Sequence, residues 1–226
     1  FENSLAPVKE KPLGSNFGLK AGKSFEIGKK GKLNLFATAS FDNDFEAREG
    51  INQSVSAQGA KLKSFQQERF AYNTNTTGMF NANYQINSKH KLAYNFLMVN
   101  SSNQIRDTYQ GFIRDIAEED NGLIQRSTYI QNTLLIHQLL GNHKLSDKFD
   151  FDWATSYNKV EGDMPDRSQN TLKYSDDANG YVFAQNTITD NHRYYQNLIE
   201  DELAANLSVN YKLNEDTDGN SKGKVT

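Results

Sequence analysis

Apolar and polar residues alternate with period two along most of this chain, over stretches longer than an ordinary strand. From Phe70 to Ile86, one set of positions holds Phe70, Tyr72, Phe80, Ala82, Tyr84 and Ile86, with Thr74, Thr76 and Gly78 between them. The interleaved set holds Asn73, Asn75, Thr77, Asn81, Asn83 and Gln85. Successive side chains of a strand point to opposite faces. This segment is therefore a strand with one greasy side and one amide-rich side.

The pattern recurs. Phe17, Leu19, Ala21, Phe25 and Ile27 alternate with Gly18, Lys20, Ser24 and Glu26. Leu33, Leu35, Ala37, Ala39 and Phe41 alternate with Asn34, Thr38, Ser40 and Asp42. Leu92, Tyr94, Phe96 and Met98 follow, then Phe149, Phe151, Trp153 and Tyr157 against Asp150, Asp152, Ser156 and Asn158. Last come Ile199, Leu203, Leu207, Val209, Tyr211 and Leu213 against Glu200, Glu202, Asn206, Ser208, Asn210 and Lys212. Thr128 to Leu140 is apolar at both sets of positions and its phase stays open. With it, the count is about seven strands.

Connections alternate too. Gly28–Gly31, Asn87–His90 and Gly141–Lys144 read as short turns. Asn43–Glu68, Ser101–Arg126 and Lys159–His192 read as long polar loops. In an up-and-down sheet this puts every short turn on one edge and every long loop on the other, an asymmetry of outer-membrane barrels.

Composition agrees with a thin, one-sided sheet. Only 36% of the 226 residues are hydrophobic, yet aromatics reach 12%, with 11 Tyr and 14 Phe; mean hydropathy is -0.77. The periodic stretches reach the 9–11 residues with which a tilted strand crosses a bilayer. Phe25, Tyr84 and Tyr211 sit at their turn-side ends. Phe41, Phe70, Tyr72, Tyr157, Tyr194 and Tyr195 sit at their loop-side ends, as interfacial girdles would. A net charge of -3 argues against a nucleic-acid partner. With no Cys there is neither a disulfide nor a thiol nucleophile. No apolar run reaches the length of a transmembrane helix.

Four segments carry a family resemblance: SNFGLKAGKSFEIGKKGKLNLFATASFDNDFEAREG, RSTYIQNTLLIHQLLGNHKL, FDFDWATSYNKVEGDMPDR and RYYQNLIEDELAANLSVNYKL. In order and spacing the chain resembles the first third of the barrel of TonB-dependent outer-membrane receptors of the Bacteroidetes type. The resemblance implies an all-β, antiparallel up-and-down transmembrane β-barrel segment, about seven strands of a larger, 22-stranded barrel. It also implies import of a nutrient ligand across the bacterial outer membrane. The implied partners are outer-membrane lipid, the remaining barrel strands, a plug domain, TonB acting on a region outside this chain, and a surface lipoprotein. Residues 1–226 are expected to be part of one barrel domain, cut from a longer protein: 1–15 an outer loop remnant, 16–213 the strands, 214–226 a periplasmic turn. Two other readings are a small structural or adhesive barrel, which needs an eighth strand, and a soluble glycan-binding β-sandwich.

No enzyme motif is present, and neither catalysis nor a cofactor is expected. Asp150 with Asp152 and Glu200 with Glu202 each share a face. Such pairs can do acid–base work, but they read as lumen-facing carboxylates, together with Asn73, Asn75, Asn81 and Asn83. His90, His137, His143 and His192 lack metal-ligand spacing. Acidic residues Asp115, Glu118, Glu119 and Asp120, and Asp176 with Asp177, match no calcium loop and read as solvated loop charge. Tyr109, Phe112, Tyr174, Tyr181 and Phe183 are the candidate ligand contacts in the outer loops.

Overall fold

Long alternating segments with few breakers have one low-energy solution, strands that pair with their chain neighbours. The computed structural model describes residues 4–7, 12–215 and 221–225. Its strands are β1 (Ser4–Pro7), β2 (Ser15–Ile27), β3 (Gly31–Val55), β4 (Lys61–Gln85), β5 (His90–Ile113), β6 (Ala117–Lys144), β7 (Phe149–Ser175), β8 (Gly180–Phe183), β9 (His192–Glu215) and β10 (Ser221–Val225). They form one antiparallel up-and-down sheet, and no helix occurs among the described residues. The seven expected strands are the seven long ones. β1 and β2 lie end to end along the same edge of β3, opposite Arg48–Ile51 and Gly31–Asn43. β10 turns back antiparallel onto Tyr211–Glu215 of β9. Short paired strands thus occupy parts of the stretches expected to be a loop remnant and a turn.

Register assigns the two faces. Leu33, Tyr84, Leu92, Gly141, Trp153 and Leu207 lie in one cross-strand row, so they share a face. This is the apolar face. Its opposite, the amide face, carries Asn34, Asn83, Ala93, Leu140, Ala154 and Asn206. Register also settles the phase of β6. Leu135, His137 and Leu139 fall on the apolar face with Met98, Phe96 and Tyr94, while Leu134, Ile136 and Leu140 fall on the amide face. The sheet stays open. β2 forms one edge, and β9, with β10 on its turn end, forms the other.

Two features depart from expectation. The three long loops are mostly strand. β3 and β4 run on to Val55 and back from Lys61, β5 and β6 to Ile113 and from Ala117, and β7 to Ser175. Polar cross-strand pairs hold these tall hairpins. Asn52 Nδ2 donates to Gln67 Oε1 at 3.1 Å, and Gln53 Nε2 to Ser64 Oγ at 3.0 Å. Such pairs contribute about 0.2–1 kcal/mol each, but with polar residues on both faces they leave no period-two signal. The other difference is the third short turn, which lies at 145–148 rather than Gly141–Lys144. Gly141 is a strand residue facing Trp153, and a Cβ there would run into the indole Nε1. The glycine makes room for a ring; it does not break the chain.

Candidate functional surfaces

The amide face is a ladder of side-chain amides, hydroxyls and carboxylates. Asn81 donates to Asn95, Asn95 to Gln138 at 3.4 Å, and Asn103 to Asn73. Asn75 donates to Asp42 at 3.4 Å, and Ser24 Oγ to Asn34 at 2.6 Å. Asp152 accepts from Asn142 and, at 3.1 Å, from Asn210. Asn158 donates to Glu202 at 3.1 Å, and Lys212 Nζ lies 3.9 Å from Asp150. By register Asn73, Asn75, Asn81, Asn83, Asp150, Asp152, Glu200 and Glu202 all lie on this face. Toward the turns, a cavity of about 430 Å³ is lined by Asn34, Asn83, Asn142, Asp152 and Asn206 among others.

On the loop side the same face closes into a network. Asp107, 2% exposed, accepts Arg69 Nε at 2.7 Å, Arg69 Nη2 at 2.9 Å and Gln67 Nε2 at 2.9 Å. The hydrogen bond and charge of Asp107 raise the pKa of Arg69 further. Arg126 donates twice to Gln169 Oε1 and lies 5.7 Å above the Tyr109 ring. Segment 184–191 folds back over β7. Gln169 Nε2 donates to Asp190 O at 3.1 Å, and Thr171 N to Asn191 Oδ1 at 2.7 Å. Burial pushes the Asp190 carboxyl up, but backbone N–H groups of Thr187 and Asn186 outweigh it and hold the group below its ordinary value. Phe65, Tyr109, Ile113, Ala117 and Ile124 pack into the one buried apolar cluster among the described residues. Sequence alone gave no sign of this network, because its partners lie about 40 residues apart.

Of the five candidate ligand contacts, Tyr109 is spent in that cluster at 8% exposure. Phe112 lies under Lys61, whose Nζ is 4.0 Å from the ring centroid. Tyr174 and Tyr181 meet edge to face at 5.6 Å, next to Phe183, which is 71% exposed. These four fall by register on the apolar side of the sheet, not with Tyr109. The loop acids do not converge. Glu118 accepts the Asp115 backbone N–H at 3.1 Å, and Asp176 sits in the β7–β8 turn.

The apolar face carries an uncharged band. Between the rows of Leu33 and Phe41, strands β3, β4, β5 and β6 hold no Asp, Glu, Lys or Arg. On the apolar face the band slants. It spans Leu33 to Ala47 on β3, Phe149 to Tyr157 on β7, and Leu203 to Leu213 on β9. On the edge strands its residues are largely exposed, with Phe17 at 69%, Leu207 at 66% and Leu203 at 80%, while Leu92, Tyr94, Phe96 and Met98 on the central β5 are half-buried among their neighbours. The one imidazole inside it, His137, is matched by the Tyr94 hydroxyl at 2.8 Å. Lys23 enters the band on β2, but its Nζ reaches over Phe25 toward the turn edge. At that edge Trp153 Nε1 donates to His143 Nε2 at 3.0 Å, and His143 Nδ1 lies 3.1 Å from His90 Nδ1. Sequence placed both histidines in turns; they are facing strand residues.

No protein-family model matches this chain, and no curated protein matches it.

Proposed function

We propose that this chain is a wall segment of a bacterial outer-membrane β-barrel, from a TonB-dependent receptor that imports a nutrient. The slanting uncharged band is the observation that carries this reading. Tilted strands must cross a horizontal hydrocarbon layer at successively shifted residues, and the band shifts in that manner from β3 to β9. An apolar face this exposed needs a cover, and a single sheet brings none of its own; lipid supplies one without any further protein layer. A soluble sandwich would need a second sheet. The amide face then lines the lumen, where water or a plug domain satisfies it. The tall hairpins stand outside the membrane, with TonB reaching a region outside this chain and a surface lipoprotein meeting the hairpins.

The open edges support a larger barrel. β2 and β9 run parallel to one another, so they cannot close on each other by antiparallel pairing. Open edges are not tolerated in lipid, so further strands complete the wall. A smaller barrel is the second reading. β10 has the direction required of an eighth strand between β9 and β2.

Single cysteines placed in this Cys-free chain test the wall. Spin labels at Leu35, Phe80 and Leu207 should be accessible to oxygen in the bilayer, and labels at Asn34, Ser40 and Asp152 to a water-soluble relaxant. Lipid exposure of the second set would end the proposal. Intact mass in detergent decides between the barrels. A value several times 25.6 kDa fits the receptor, and a value near it fits the small barrel.

A further inference from the structure

The three short turns that join β2 to β3, β4 to β5 and β6 to β7 are basic in a particular way. Lys29, Lys30, Lys89 and Lys148 sit in the turns themselves, are exposed, and have no ion pair among the described residues. Asp147 is the one carboxylate in these turns, and it lies 3.8 Å from Lys144. Immediately beside this rim the apolar face ends in Phe149, Phe151 and Trp153 and in the imidazole pair. An indole N–H only donates, so His143 Nε2 accepts from Trp153. Neutral His143 then carries its proton on Nδ1 and donates to His90 Nδ1. His90 keeps its own proton on Nε2, a donor with no partner among the described residues.

We infer that this rim is a binding site for anionic phospholipid headgroups, with the turn lysines and His90 Nε2–H holding the phosphate and the aromatic ring cluster seating the glycerol end of the chains. Lysine ammoniums are mobile point charges suited to a mobile phosphate. Ammoniums near an anionic surface add attraction one by one, and aromatic side chains settle at the headgroup level. An acidic protein would match the charge, but it would not need the greasy face continuous with it. The inference rests on the membrane reading above.

Trp153 is the chain's single tryptophan and stands at the site. Its emission is isolated as the difference between the whole protein and its Trp153→Phe variant, in bilayers. Phosphatidylglycerol and phosphatidylcholine, with chains identically brominated near the headgroup, serve as quenchers. The expected result is a preference for phosphatidylglycerol on the order of threefold or more. A combined Lys29→Gln, Lys30→Gln, Lys89→Gln and Lys148→Gln variant should lose that preference while phosphatidylcholine quenching stays unchanged. Equal quenching by both lipids, or a preference that survives the substitutions, overturns the headgroup site and leaves the wall standing. Absence of quenching by either lipid overturns both.

Discussion

Asp107 is the one buried carboxylate among the described residues, and its oxygens are shared between Arg69 and Gln67. Asp107→Asn removes the charge but keeps the shape, leaving a guanidinium one-third exposed without its partner. The expected cost is about 1–3 kcal/mol, confined to the loop-side ends of β4 and β5. Hydrogen exchange should accelerate from Lys61 to Arg69 and from Arg106 to Ile113, while the band segments of the same strands stay protected. Gly141→Ala is a different kind of lesion. Its new methyl collides with the indole of Trp153, at about 1–3 kcal/mol for overpacking. The ring must swing off His143, and a shift in Trp153 emission should report it; an unchanged spectrum would mean that glycine and ring do not meet. Acid acts at the loop side. Asp190 sits below its ordinary value for the reason given above, and the Arg193 guanidinium, bonded at 2.9 Å and 3.0 Å, lowers the pKa of Asp166. A depressed carboxyl contributes stability above its unfolded value, roughly 3.9, and the contribution is lost as pH falls through the folded value. A spin label at Ile188 should therefore loosen below about pH 4, and in Asp190→Asn it should be loose already at neutral pH.

At the scale of elements, the apolar and amide faces should answer differently to the same charge. Leu135 lies mid-band on the apolar face, beside Met98. On the proposed wall reading, Leu135→Lys should cost about 2–4 kcal/mol, as lysine does at the midplane of a barrel's lipid face. Asn95→Lys, on the amide face, should cost far less. Urea unfolding in bilayers compares them, and equal costs would mean the faces are not in different solvents. The faces were legible in the sequence because Phe80, Ala82 and Tyr84 alternate with Asn81, Asn83 and Gln85. So was the placement of all eight lumen candidates on one face. The phase of β6 was not, since Leu134 and Leu135 are alike and only the partners Val99 and Met98 tell them apart. Nor were the tall hairpins, where Asn52 and Gln53 are polar on opposite faces and hydrogen-bonded pairing replaces hydrophobic patterning. Tyr109 reads as a loop contact in the sequence for the same cause: its cover, Phe65 and Arg126, comes from other strands.

For the whole molecule, the arrangement of positive charge has a practical consequence. All seven arginines, at positions 48, 69, 106, 114, 126, 167 and 193, lie on the loop side of the uncharged band, and the turn edge has lysine alone. Arginine suits fixed, forked ion pairs such as those with Asp107 and Asp166, which the hairpins need and the turns do not. On the proposed outer-membrane reading, an arginine-specific protease is therefore a one-sided reagent for this chain. Added to intact cells, it should make every arginine cut that permeabilised cells allow. A lysine-specific protease should gain its cuts at Lys29, Lys30, Lys89 and Lys148 only after the membrane is opened. The reverse order would turn the protein upside down. Fragments spanning Phe70 to Ser88 and Ser127 to His143 should survive both enzymes intact, because the residues that let a strand rest in lipid are the ones neither protease can read.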